Sequence, residues 1–137
     1  MRAFSVSRFE PIAFAALRIV AGFLFSFHGV QKVFGVLTSK PPPAFGSQLW
    51  LGGWIELVGG VLLALGLFTR YVALLCAGTM AVAYTQFHWK LALDGWQWLP
   101  IVNKGELAAL YCFVFLFIGA HGPGVLSLDR RRGARRA

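Results

Sequence analysis

Four stretches of the chain, roughly residues 11–34, 50–68, 71–89 and 105–121, approach or exceed the run of about 20 apolar residues that a helix needs to cross a bilayer. With 58% hydrophobic and only 13% charged residues in 137, there is too little polar surface to cover four such runs in water. The chain reads as an integral membrane protein. The seams support this division. Residues 39–47, SKPPPAFGS, carry three consecutive prolines that cannot continue a helix, and residues 91–100, LALDGWQWLP, place the turn pair Asp94-Gly95 among interfacial tryptophans. Only Thr69 and Arg70 separate the second and third runs, so these two form a tight helical hairpin. The first run follows Arg2 and Arg8 as a signal peptide would, but Arg18 interrupts it, the apolar character continues past it and no small-residue cleavage site follows. It is expected to stay in the mature protein. The expected fold is all-α: a single four-span transmembrane helix bundle over residues 1–129, followed by a basic tail at residues 130–137.

The net charge of +8 sits at the two ends and in the seams, with no basic stripe or aromatic-interleaved patch, which argues against a nucleic-acid partner. Every arginine except Arg18 lies in the N-terminal tail, in the tight second seam or in the C-terminal tail, whereas the two longer seams hold lysines and no arginine. By the positive-inside rule both termini and Arg70 are cytoplasmic and the longer loops external, with the tail lying against anionic lipid. Cys76 and Cys112 fall in different apolar runs, far from any CxxC or CxxCH spacing, so neither a redox dithiol nor a haem attachment is indicated. No metal site is expected.

Ionisable groups inside such runs are costly and need a partner or a water-filled cavity. Laid out at 1.5 Å per residue, His28 and Lys32 fall in the outer part of the first span, and Glu56, about 9 Å in from Trp50, lies at a similar level to His28. Glu106 starts the fourth span near the level of Lys32, and the third ends at that layer with Tyr84, Gln86 and His88. His28, Lys32, Glu56, Tyr84, His88 and Glu106 therefore form the candidate ligand-binding or buried polar cluster, in which either of Glu56 and Glu106 can partner either of His28 and Lys32. Arg18, Gly22, Phe25, Gly29 and Lys32 share one face of the first span, as do Gly52, Glu56, Gly59, Leu63 and Gly66 in the second. Gly22, Gly29, Gly52, Gly59, Gly60 and Gly66 are read as close-packing positions. Arg18 is a buried charge on the other half of the span with no acidic residue at its level, so it reaches either for phosphates or for carbonyls at a helix end.

Each feature has a plainer reading. The charged cluster can serve only to specify helix packing, and His28 and His88 are explained by polar packing without haem ligation, because no spacing motif accompanies them. The phenylalanines of FVFLFIG are explained by packing or lipid contact as readily as by a quinone tail, and the five tryptophans by an aromatic belt.

Arg18, FHGVQK at 27–32, GGWIELVGGVLLALGLFTR at 52–70, Met80 in the third span, KGELAALY at 104–111 and GPGVLSLD at 122–129 occur in an order that resembles the DoxX family. The resemblance implies a small bacterial inner-membrane protein with four helices, and polar family positions at Arg18, His28, Gly29, Lys32, Glu56, Gly60, Arg70, Glu106, residues 122–124 and residues 127–129. Asn103-Lys104 and Val125-Leu126 are modest departures from its pattern. It also implies a link to quinone- or thiol-linked redox complexes, and with it a quinone as the one cofactor to consider. The expected partners are the lipid bilayer and a redox protein or a second copy of the chain. Two function classes follow: a redox-complex subunit holding a quinone or other small ligand in the polar cluster, possible as a noncatalytic subunit, and a noncatalytic membrane scaffold. A small-molecule transporter is a third, weaker reading.

Overall fold

A computed structural model describes residues 6–134; Arg2 and the last three residues of the basic tail, both used in the orientation argument, lie outside them. The described residues are helical, with no strand among them: a 3-10 turn at Val6–Phe9, α1 (Glu10–Phe34), α2 (Gln48–Leu65), α3 (Thr69–Ala83), a π-helical turn (Tyr84–Trp89), the short α4 (Pro100–Asn103), α5 (Glu106–His121) and α6 (Leu128–Ala134). Residues 7–34 and 48–65 are each long and apolar enough to cross a membrane. The third run is divided where α3 gives way to the π turn, and α5 has 16 residues.

The helix ends follow local chemistry. Pro11 occupies the first turn of α1, where its missing N–H costs nothing, and Gly35 ends the helix in the left-handed region at φ +64°. Ser47 caps α2 by accepting the Trp50 amide at 3.2 Å. At the other end of α2, the Gly66 amide donates to the Leu63 carbonyl and the Leu67 amide to that of Leu62, a Schellman closure around Gly66 at φ +67°. Gly66 also needs its bareness for space, since an added Cβ would lie 2.5 Å from Ser127 Cβ.

α1 and α2 run antiparallel with backbones in contact. An added Cβ at Gly22 would sit 2.6 Å from both Ala64 N and Gly60 O, and one at Gly29 would press on Leu57 N and, at 2.5 Å, on Gly53 O. Small residues permit this approach, which suits helices that gain nothing from water exclusion between them. α3 and α5 form a second antiparallel pair, and Phe25 of α1 ties the pairs together, with its ring centroid 4.7 Å from that of Phe115 and 5.2 Å from that of Tyr111. Around this core the outward faces are apolar too: Phe23, Leu74, Leu110 and Phe113 are all more than half exposed. Such a surface is matched by hydrocarbon and not by water.

At the end of the bundle where α2 turns into α3, three side chains close the helix termini. Arg18, fully buried, donates to the carbonyls of Leu63 (2.7 Å), Ala64 (2.9 Å), Leu126 (2.9 Å) and Val125 (3.3 Å). Of the two partners foreseen for Arg18, carbonyls at a helix end are the ones it meets. Arg70 donates to the carbonyls of Gly119, Ala120 and His121, the last residues of α5. Asp129 accepts from the Phe68 amide (2.9 Å), the Thr69 amide (2.8 Å) and the Thr69 hydroxyl (2.8 Å) at the start of α3. Partial burial pushes the Asp129 carboxyl up, but the Thr69 and Phe68 hydrogen bonds and the nearby Arg132 outweigh it and hold the group below its ordinary value. Helix ends leave carbonyls and amides without intrahelical partners, and in an apolar surrounding these groups need such donors and acceptors.

Candidate functional site

The opposite end of the bundle holds most of the remaining polar side chains. Lys32, in the last turn of α1, reaches Glu56 of α2 with Nζ 2.5 Å from Oε1. Glu56 is only 2% exposed, and its second oxygen, Oε2, is buried without a partner. The Lys32 side chain is one-third exposed, so water or headgroups solvate the cation end of the pair while the carboxylate is enclosed.

Two cavities meet at this pair, with Lys32, Leu49, Glu56, Ala83 and His88 lining both. One, of about 550 Å³, opens toward the loops and presents Lys32, Lys40 and Lys104 together with His28 and His88, against Glu56 as the one carboxylate in its lining. The other, of about 630 Å³, is a mostly apolar groove between α2 and α3. Volumes of this size fall in the range of small-molecule sites, where a few polar groups converge in an apolar wall.

His88 reaches the site from the π-helical turn. π turns re-aim the side chains that follow them and recur at functional sites. His88 Nδ1 lies 3.3 Å from the Asn103 carbonyl, and because a carbonyl can only accept, this hydrogen bond places a proton on Nδ1. Asn103 also braces the loop over the turn: its Nδ2 donates to the Gln97 carbonyl (2.9 Å) and the Tyr84 hydroxyl (3.2 Å), and its Oδ1 accepts the Gly105 amide. The sequence marked Asn103 only as a departure from the family pattern and gave it no role; its position just before a helix start in a Lys-Gly turn was the available signal.

The expected cluster is therefore assembled in part. Lys32, Glu56 and His88 come together, and His28 lines the loop-side cavity with its ring 6.1 Å from that of Tyr111. Glu106 is exposed in the first turn of α5, outside both cavity linings, and Lys32 pairs with Glu56 instead. Tyr84 spends its hydroxyl on the Trp98 carbonyl and lines neither cavity, so it braces a loop and does not face a ligand. Gly52 is not a packing glycine: an added Cβ there would meet nothing within 4 Å, whereas one on its neighbour Gly53 would lie 2.8 Å from Lys32 Cβ. Gly59 packs on Cys76, with its added Cβ 2.6 Å from Sγ, and Gly60 on the backbone of Gly22 and Ser26. Among the described residues no group of three or more His, Cys, Asp or Glu side chains is arranged to hold a metal ion.

The DoxX family model matches residues 13–89, which include Arg18, Lys32, Glu56 and His88. The chain belongs to the DoxX family. DoxX proteins are membrane-associated, in keeping with the two long apolar helices and the apolar outer surface. Similarity extends beyond the family match: an "Uncharacterized protein" of Haemophilus influenzae is 38% identical over 130 residues, covering 93% of this chain and 96% of the relative. A Bacillus subtilis protein named "Putative oxidoreductase CatD" is 29% identical over 119 residues, covering 82% of this chain and 81% of its own. No solved structure matches the chain significantly.

Proposed function

We propose that this DoxX protein is a four-span subunit of a redox complex in the bacterial inner membrane, with both termini cytoplasmic, and that it binds a quinol- or quinone-type headgroup at Lys32, Glu56 and His88. The observation that carries the reading is Glu56 Oε2, an acceptor buried without a donor where two cavities meet. Leaving such an atom unsatisfied costs about 1–3 kcal/mol, more for a charged group, and a ligand hydroxyl supplies the missing hydrogen bond. The basic rim of Lys40, Lys104 and His28 offers donors to the oxygens on the other side of a ring. The name of the Bacillus relative and the family resemblance support the redox assignment. The arginines of the second seam and tail, set against lysines in the longer loops, support the orientation.

When bound, a quinol supplies the two-electron, two-proton chemistry of hydroquinone and quinone. Glu56 Oε2 accepts the hydrogen bond of one hydroxyl and is placed to hold its proton, while Lys32 on Oε1 keeps the carboxylate oriented. With the ring neutral, His88 Nε2 offers a second acceptor, since the Asn103 carbonyl holds a proton on Nδ1. The polypeptide has no recognisable electron carrier, so the electrons pass to or from a partner redox protein.

The test is mass spectrometry of small molecules extracted from gently purified protein, compared with folded Glu56→Gln and His28→Asn variants. Retention of a quinone by the wild type and its loss from the variants is the expected result. The Lys32–Glu56 clasp across the α1–α2 seam favours a second reading, a noncatalytic scaffold whose charges only fix packing. In that case nothing is retained, and the variants keep their partner.

A further inference from the structure

A glycine inside a helix is about 1 kcal/mol less favourable than alanine, so helix-interior glycines call for a reason. At Gly22, Gly29, Gly53, Gly59 and Gly60 the reason is space, because an added Cβ would press on a neighbour. Gly52 of α2 and Gly78 of α3 have no such reason: an added Cβ at either would meet nothing within 4 Å, and neither has a positive φ. Both line the groove between α2 and α3. The two helices touch part-way along, where Gly59 packs on Cys76, and beside Gly52 and Gly78 they leave open space.

The groove has two unlike ends. Its rim is formed by Leu51, Leu74 and Leu75, each more than half exposed on the apolar outer surface. Its inner end is Glu56, 98% buried by its 2% exposure, with Oε2 lacking a donor, beside His88. An apolar passage that starts among lipid-facing leucines and stops at an unpaired acceptor fits one kind of molecule, an amphiphile with a hydrogen-bond donor in its head and a hydrocarbon tail. A water-soluble ligand would use the basic loop-side cavity and would have no need of this passage.

We infer that the groove between α2 and α3 is a lateral entry from the bilayer, in which the hydrocarbon tail of a membrane-dissolved quinol lies over Gly52 and Gly78 while its head reaches Glu56. This rests on the reading of Glu56 as the headgroup acceptor. The two glycines are bare so that the tail has room, and since the tail comes from hydrocarbon its contribution is the packing contact it makes along the groove and not exclusion of water.

The experiment is equilibrium binding to the full chain in nanodiscs, with two probes: a decyl-tailed benzoquinol, and the same ring carrying a methyl group in place of the tail. Gly52→Leu and Gly78→Leu fill the groove, and the open space at both positions lets the variants fold, which circular dichroism verifies. The expected result is a loss of about tenfold or more in affinity for the tailed probe in both leucine variants, with the tail-less ring unchanged, while Glu56→Gln weakens both probes. Unchanged affinity of the leucine variants for the tailed probe overturns the lateral groove and leaves the headgroup site standing. Equal weakening of both probes also overturns it, since the substitutions would then act on the head. If neither probe binds the wild type, the headgroup reading falls and the groove with it.

Discussion

Replacing Lys32 by methionine isolates what the buried carboxylate requires. Lys32 Nζ is the one partner of Glu56 among the described residues, at 2.5 Å, and Glu56 is 2% exposed. Without the lysine both carboxylate oxygens are enclosed and unpaired, and breaking a buried pair from one side costs about 3–5 kcal/mol. Because the lysine side chain is one-third exposed, the pair is solvated from that side and the expected loss lies near the lower figure, about 3 kcal/mol. Glu56→Gln is milder, about 1 kcal/mol, since the amide oxygen still accepts from the ammonium. The double variant Lys32→Met/Glu56→Gln removes the stranded charge and should recover about 2 kcal/mol of the single lysine variant's loss, which makes the coupling between the two sites about 3 kcal/mol, the upper end of the range for residues in contact. Unfolding of the four proteins in mixed micelles, followed by far-ultraviolet circular dichroism, measures the cycle. A Lys32→Met loss under about 1 kcal/mol, or a double variant no more stable than Lys32→Met, would refute the argument that this pair compensates a buried charge.

Gly29→Ala should destabilise by about 1–3 kcal/mol, because the new methyl meets α2 backbone that cannot yield, while Gly52→Ala should be neutral or stabilise by up to about 1 kcal/mol; the same unfolding assay compares them. Arg18→Lys should lose about 2 kcal/mol or more, since one ammonium cannot span the four carbonyls that the guanidinium joins, and a melting temperature equal to wild type would contradict the clasp. The lowered Asp129 value means that its contribution is fully present above the ordinary 3.8 and is lost as pH falls through the lower folded value. The stability gap between wild type and Asp129→Asn should therefore be constant near neutrality and close below pH 3.8, as read from melting temperatures across a pH series.

Much of the architecture is legible in the sequence because it rests on one-dimensional signals. Apolar runs and the proline seam place α1, α2, α5 and α3 taken together with its π turn within about three residues of where they form, although the tight turn falls at residues 66–68 and Thr69 and Arg70, read as the seam, begin α3. The α1 face of Arg18, Gly22, Phe25 and Gly29 is buried as its spacing implies, since residues three and four apart share a side of a helix. Depth counting brings Lys32, His28 and Glu56 to one layer, but it sets Glu56 level with His28 and Glu106 level with Lys32, so the Lys32–Glu56 pairing itself is decided by packing.

The rest depends on rotation and on the backbone, which the pattern does not encode. α5 is apolar all round, so nothing in its sequence fixes which side faces inward, and Glu106 turned out on the exposed side. Gly52 and Gly53 are adjacent, yet one step of about 100° separates an open groove from a packed seam. Arg18 is held by carbonyls of residues 63, 64, 125 and 126, and since every residue carries a carbonyl, no side-chain pattern marks those four. Sequence alone determined that the chain is made of apolar helices and which face of the first two carries the charges. Tertiary structure decided which groups meet, because packing sets the rotation of each helix and leaves Glu56 Oε2 without a donor between two cavities.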